Sequence, residues 1–258
     1  MNIKIIVAAH KAYEMPGDIS YLPVHVGKAI NNEDIGFRGD DTGDNISEKN
    51  SSYCELTGLY WAWKNLDADY LGLAHYRRHF SAKPWYVRLL NGKKNCILTD
   101  REVHRILEKT DIILPKKRNY LIESVYEHYC HTHYPEPLDE TEKILQERYP
   151  EMVPAFNQVM HSKKAHMFNM YIMKRELSDE YCEFIFDVLG ELETRVDVSG
   201  YNPFQGRVYG RISELLLDVW IRYKGYSYKE LPLMHMEKVN WFAKGYKLLY
   251  SKFTHQYY

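Results

Sequence analysis

Only four of the 258 residues are cysteine, Cys54, Cys96, Cys130 and Cys182, and no two form a CxxC pair. That spacing supports neither a zinc site nor a disulfide framework, and it fits free thiols in a reducing compartment. An excess of either charge is also missing, since 34 basic residues face 35 acidic ones. No global field attracts nucleic acid, so any anion site has to be local. No apolar run approaches the ~20 residues of a membrane span. The opening "MNIKIIVAAHK" is too short in its apolar part for a secretory leader. The chain is therefore expected in the cytoplasm. A Walker-type loop, GxGxxG, HExxH and GxSxG are all absent. P-loop hydrolysis, nicotinamide-dependent hydride transfer, zinc proteolysis and nucleophile-elbow chemistry thus lose their usual sequence support.

What is present is an ordinary globular composition, 45% apolar and 27% charged, with 23 tyrosines. Tyrosine joins an apolar ring to a hydroxyl, which suits both a core and a groove for polar ligands. The segment "IKIIVAAH" is β-branched and almost continuously apolar, as a strand buried on both faces of a parallel sheet would be. "YLPVHVG", "YLGLA", "DIILPKK", "AHMFNMYIMK" and "YSYKELPLMHME" supply further strand candidates. Between them "SYCELTGLYWAWKNL" reads as one helix with Tyr53, Leu56, Tyr60 and Trp63 facing the core. "REVHRILEKT", "ESVYEHYCHTHY", "LDETEKILQERYPEMVPAFNQVM" and "RVYGRISELLLDVWIRYKG" are also helical in pattern. "SDEYCEFIFDVLGELETRV" is a helix opened by Ser178. Short apolar strands alternating with helices predict an α/β fold, a three-layer sandwich with a mainly parallel sheet. No linker divides the chain, so residues 1–236 form one domain and residues 237–258 an appendage.

In open α/β sheets ligands bind at the carboxyl ends of the strands. Three predicted strands end in cationic or imidazole side chains: His10-Lys11, His75-Tyr76-Arg77-Arg78 and Lys116-Lys117-Arg118. On a parallel sheet these ends share one rim, and a phosphate or diphosphate is the ligand they suit. Pairing of single arginines with Asp67 or Asp69 is the competing explanation. The loop "DDTGDNISEKN" offers Asn45 and Asn50 as hydrogen-bonding groups for a sugar or ribose, or acts only as a turn. Glu55 follows it and is placed to project into the same cleft.

"DDTGDNISEKNSSYCELTGLYWAWKN", "YLGLAHYRRHF", "VAAHK" and "RVYGRISELLL" together resemble the bacterial domain of unknown function 4422 family. Its members are generally labelled capsular or exopolysaccharide glycosyltransferases, and the resemblance runs from the first strand to about Met236. It implies a GT-A-like nucleotide-diphospho-sugar transferase, with a donor such as a UDP-sugar. The acceptor it implies is a growing capsular, exopolysaccharide or O-antigen glycan, lipid-linked or oligosaccharide. Many such enzymes hold a divalent metal with Asp-x-Asp at the end of a central strand. Here Asp67-Ala68-Asp69 precedes its strand, and a strand of five residues spans roughly 17 Å. The metal position is accordingly expected to be unused, with manganese kept as the competing possibility. Donor contacts are assigned to His10, Lys11, Asn45, Asn50, His75, Tyr76, Arg77 and Arg78. Asp139, Glu214 and His133, with His131 behind them, are the candidates for the catalytic base. His166 and Asn169 are the candidates for acceptor or sugar contacts.

The last segment, "KVNWFAKGYKLLYSKFTHQYY", interleaves Lys238, Lys244, Lys247 and Lys252 with aromatic residues and has no acidic one. It reads either as a docking segment for an anionic membrane surface, at the inner face of the cell membrane, or as a helix packed on the domain. Two other functions stay open on the sequence. One is a non-catalytic nucleotide- or glycan-binding partner of a polysaccharide assembly complex; the other is a nucleotidyltransferase.

Overall fold

The structure is a computed structural model that describes residues 2–237. Of the appendage at residues 237–258 only Glu237 is described, and the basic aromatic segment lies outside the described residues. The strands are β1 (Ile3–Ala9), β2 (Tyr21–His25), β3 (Arg38–Gly39), β4 (Tyr70–His75), β5 (Arg78–Phe80), β6 (Ile112–Pro115), β7 (Arg118–Asn119), β8 (Lys164–Ala165), β9 (Tyr171–Lys174), β10 (Tyr228–Leu231) and β11 (Leu233–His235). The helices are α1 (Asn50–Tyr53), α2 (Leu56–Asn65), α3 (Trp85–Leu90), α4 (Asp100–Leu107), α5 (Val125–Thr132), α6 (Glu136–Arg148), α7 (Val153–Met160), α8 (Arg175–Arg195) and α9 (Val208–Lys224).

The central sheet runs β10-β6-β9-β4-β1-β2-β3. β1 pairs in parallel with β2 and β4, β2 with β3, and β6 with β10. β9 runs against both of its neighbours, β4 and β6. The sheet is thus mainly parallel, as its apolar strands predict, with one reversal inside it. That reversal decides the position of the site. It brings the residues before β9, Phe168 and Asn169, to the rim where β1, β4 and β6 end.

Both faces of the sheet are covered, which makes the three layers. On one face Val24, Leu71 and Leu73 pack with Leu59, Trp61, Leu189 and Trp220 from α2, α8 and α9. On the other, Ile5, Val7, Ile113 and Ile172 pack with Phe80, Leu98 and Val103. Each large side chain buried in this way contributes ~1.5–3 kcal/mol.

Three local expectations are corrected. The predicted helix over "SYCELTGLYWAWKNL" is two helices, broken at Cys54, whose φ is 53°. Tyr53 and Leu56 do face the core, but Tyr60 and Trp63 are only half-buried, and Leu59 and Trp61 fill the interior instead. Helix α8 begins at Arg175, ahead of Ser178. The guanidinium of Arg175 donates to the carbonyls of Leu66 and Trp63, both at 2.6 Å, and this tertiary anchor sets the start. Ser178 is buried one turn inside, 3.2 Å from the Tyr171 hydroxyl. In "AHMFNMYIMK" only the two ends are strands, β8 and β9, and residues 166–170 form the turn between them.

Candidate functional site

Two groups of side chains meet at the carboxyl rim. The first surrounds Tyr76, which is buried behind β4. His10 stands edge-on to its ring at 5.2 Å, and Tyr13 packs against it at 5.1 Å. The Lys11 ammonium lies 5.4 Å and the Arg77 guanidinium 5.1 Å from the centre of the same ring. Cation–π attraction to one fixed aromatic thus gathers two flexible cations. Partial burial, then the charges of Arg77 and Lys11, hold the His10 imidazole below its ordinary value and favour its neutral form. Glu237 bridges the two cations, 3.4 Å from Lys11 and 3.4 Å from Arg77. His10 and Arg77 therefore share one locality, although they are 67 positions apart in sequence.

The second group is built of carboxyls. Nε2 of His75 lies 2.7 Å from the Phe168 carbonyl and 3.6 Å from Glu55 Oε1. The Asn169 amide donates to Glu55 Oε1 at 2.9 Å and to the Gly210 carbonyl at 2.8 Å, and its oxygen accepts from Ser213 at 2.7 Å. Phe168 and Asn169 are both left-handed, with φ of 77° and 53°. Such a conformation is tolerable for asparagine but strained for phenylalanine. The hydrogen bonds on both sides hold it in place. Gly210, in the first turn of α9, allows the close approach, since a Cβ there would meet the Cys54 sulfur and the Tyr53 carbonyl at 3.3 Å.

Glu214 lies one turn further along α9 and accepts the Phe168 backbone N–H. Burial and the neighbouring Glu55 carboxylate push its carboxyl up to about 8, against the opposing pull of Arg78 and Arg211. The Arg78 guanidinium stacks on the Phe168 ring at 4.1 Å. Its Nε is buried with no hydrogen-bond partner among the described residues. The charges of Arg77 and Arg78 act on one another, as do those of Arg207 and Arg211, and that of Arg207 reaches His10. The two groups accordingly face one region.

Other sequence-predicted residues lie elsewhere. Asp139 is on α6, where it accepts from the Tyr126 hydroxyl at 3.0 Å, and it has no contact with either group. His133 bonds Gln205 at 3.1 Å, and burial followed by Arg211 takes its imidazole down to about 3, which leaves a weak proton acceptor. His131 pairs with Glu123 at 3.3 Å. Asn45 serves its own loop, accepting from the Ser47 N–H and donating to the Gly43 carbonyl. Asn50 packs against Gly27 at the end of β2 and secures the break after α1 through the Cys54 carbonyl, at 2.7 Å. His166 is buried between Asp218, 2.5 Å from Nδ1, and Glu230, 3.0 Å from Nε2, so it is unavailable to an acceptor. Arg207, which the sequence places on one helical face with Gly210 and Glu214, joins the rim, as do His25 and Arg211, which the sequence did not single out. His25 ends β2, buried, with neither ring nitrogen hydrogen-bonded among the described residues.

Asp69 sits at the amino end of β4, its carboxylate 2.6 Å from the Asn2 backbone nitrogen, so Asp67-Ala68-Asp69 occupies the opposite rim. No three His, Cys, Asp or Glu side chains among the described residues are grouped to hold a metal ion. At the strand end where Asp-x-Asp would stand are an imidazole, His75, and two guanidinium groups, Arg77 and Arg78, and the two fixed cations there do not fit a divalent cation.

A three-layer sheet of this order, with its polar groups gathered at the carboxyl rim, defines a GT-A-like α/β protein. The chain belongs to the family described as domain of unknown function (DUF4422), whose profile matches residues 4–225. Among solved structures it is similar to the apo structure of the bifunctional glycosyltransferase WbbM, at 31% sequence identity and a TM-score of 0.84. The likeness covers 92% of this chain and 46% of that one, so the chain spans about half the length of its structural relative. No curated protein matches it.

Proposed function

We propose that the protein is a glycosyltransferase that moves a sugar from a nucleoside-diphosphate donor, a UDP-sugar in the first instance, to a growing bacterial capsular, exopolysaccharide or O-antigen glycan on a lipid carrier. The reading is carried by the meeting, at one rim, of a cation cluster around Tyr76 with a carboxyl of raised proton affinity, Glu214. Glycosyl transfer needs both. As the anomeric C–O bond breaks, its electron pair passes to the departing diphosphate, and fixed cations stabilise the charge that grows there. Lys11 and Arg77 supply that charge, with Arg78 between them and the carboxyls. The neutral His10 and the Tyr76 hydroxyl add hydrogen bonds. Glu214, once ionised, accepts the proton of the acceptor hydroxyl, and its raised proton affinity makes it a stronger base than an ordinary carboxylate. Asn169 and His75 fix Glu55 beside it. Work would take place in the cytoplasm, at the inner face of the membrane that carries the acceptor.

The test is thermal unfolding with UDP, GDP and their sugar conjugates, with and without manganese, followed by assays of donor hydrolysis and transfer. A nucleoside diphosphate at 100 times its Kd should add about 2.7 kcal/mol of apparent stability. No stabilisation by any nucleotide would refute the reading. Binding without turnover would point to the silent assembly partner, and pyrophosphate release from a nucleoside triphosphate to nucleotidyl transfer.

Glu237 gives a second expected result. Its carboxylate occupies Lys11 and Arg77, the two cations assigned to the diphosphate, in exposed, solvent-screened ion pairs. Glu237→Gln should tighten nucleoside-diphosphate binding by ~3–10-fold in titration calorimetry. Unchanged or weaker binding would show that the diphosphate does not use those cations.

A further inference from the structure

Helix α3 breaks the rule that large apolar side chains of a helix face the core. Trp85 is 70% exposed, Tyr86 52%, Leu89 74% and Leu90 77%, while no residue of the helix is fully buried. Four such neighbours on one turn and a half of helix form a contiguous apolar projection, not scattered exposure. Its flanks are cationic. From Ser81 to Thr99 the chain carries Lys83, Arg88, Lys93 and Lys94 and no acidic residue. Glu102 and Glu14, from outside the segment, pair with Lys83 and Lys94.

The projection also adjoins the rim. Lys93 donates to the carbonyls of Met236 and Glu237, at 3.2 and 3.3 Å, and Glu237 in turn meets Lys11 and Arg77. A surface cleft of about 680 Å³ opens between them, lined by Tyr13, Glu14, residues 92–95 and Met236. An apolar tip of tryptophan, tyrosine and leucine flanked along the chain by lysine and arginine is complementary to the interfacial layer of an anionic bilayer. Apolar side chains enter below the headgroups and cations remain at their level. We infer that α3 is a membrane-docking element that seats in an anionic lipid surface and holds the cleft beside Lys93 against that surface. No helix among the described residues is long and apolar enough to cross a membrane, so the contact is with one leaflet.

The test needs no nucleotide and stands apart from the donor reading. The full chain is mixed with vesicles of phosphatidylcholine containing phosphatidylglycerol, or of phosphatidylcholine alone, and the bound fraction is measured by flotation. Binding is expected to the anionic vesicles and to fall at least tenfold with neutral ones or in high salt. The triple variant Trp85→Ser, Leu89→Ser, Leu90→Ser should lose at least tenfold in partitioning while its thermal unfolding midpoint is kept, since these side chains stand 70–77% exposed. Lys93→Glu with Lys94→Glu should abolish the preference for anionic lipid. Anionic-vesicle binding that the triple variant leaves intact would overturn the proposal and place docking elsewhere in the chain. Sedimentation showing a dimer that the triple variant abolishes, with no vesicle binding, would overturn it in favour of a second copy of the chain.

Discussion

Glu214→Gln should lower the rate of sugar transfer by ~10²–10⁴-fold, the usual worth of a positioned general base, and should make the protein more stable at pH 8. The two effects share a cause. In the unfolded chain Glu214 ionises near 4.5, whereas in the fold burial and Glu55 push it up to about 8. Between those values the folded protein keeps a proton that the unfolded chain has released, so stability contributed at this position falls as pH rises. Glutamine removes that loss. The variant's advantage in unfolding midpoint should be smallest near pH 4.5 and largest at pH 8 and above. In the wild type, kcat/KM should climb with pH through an apparent pKa near 8, because the ionised form is the base, and the climb should vanish in the variant. A variant as active as the wild type, or one that is less stable at pH 8, would remove Glu214 from the chemistry and leave it a structural acceptor for the Phe168 N–H.

Much of this rim is legible in the sequence, and particular residues show why. Apolar runs ending in His10-Lys11 and His75–Arg78 fix parallel strands by composition alone, and parallel strands share their carboxyl ends. The Asp67-Ala68-Asp69 carboxylates are similarly placed by the length of β4. What composition does not carry is the direction of a strand in the middle of the sheet. β9 is as apolar as its parallel neighbours, and only its pairing with β4 and β6 turns it round and delivers Phe168 and Asn169 to the site. The left-handed pair there has no glycine to signal it. Hydrogen bonds from α2 and α9 impose it. Arg207 and Glu214 stand at helical spacing (i, i+7) and are legible on that ground, and the same spacing (i+4) could have marked Arg211. The expected site positions that lie away from the two groups are those where tertiary contacts override local pattern: Asp139 is captured by Tyr126, His166 is enclosed by two carboxylates, and Asn45 is spent on its own turn.

Arg77→Ala should reduce transfer by ~10²–10³-fold, the cost of removing a group that stabilises developing charge. It should also weaken nucleoside-diphosphate binding by ~10–100-fold, consistent with the loss of charge-assisted hydrogen bonds. The fold should survive. The Arg77 side chain is 42% exposed, and its ion partner Glu237 is 40% exposed, so the unfolding midpoint without ligand should hardly move. Loss of a positive charge anywhere on the protein weakens its attraction for an anion slightly, so the comparison that matters is with Arg148→Ala. Arg148 is equally exposed and pairs with Asp187 and Glu191, remote from Tyr76. That variant should bind nucleotide within ~2-fold of the wild type, because screening at physiological salt confines charge effects to about 8 Å. Arg77→Lys should recover part of the binding but less of the rate, since a lysine supplies the charge without the planar fork that grips two phosphate oxygens at once. Equal losses in Arg77→Ala and Arg148→Ala would mean that a diffuse field, not this guanidinium, attracts the donor. Undiminished turnover in Arg77→Ala would separate the Tyr76 cluster from catalysis altogether.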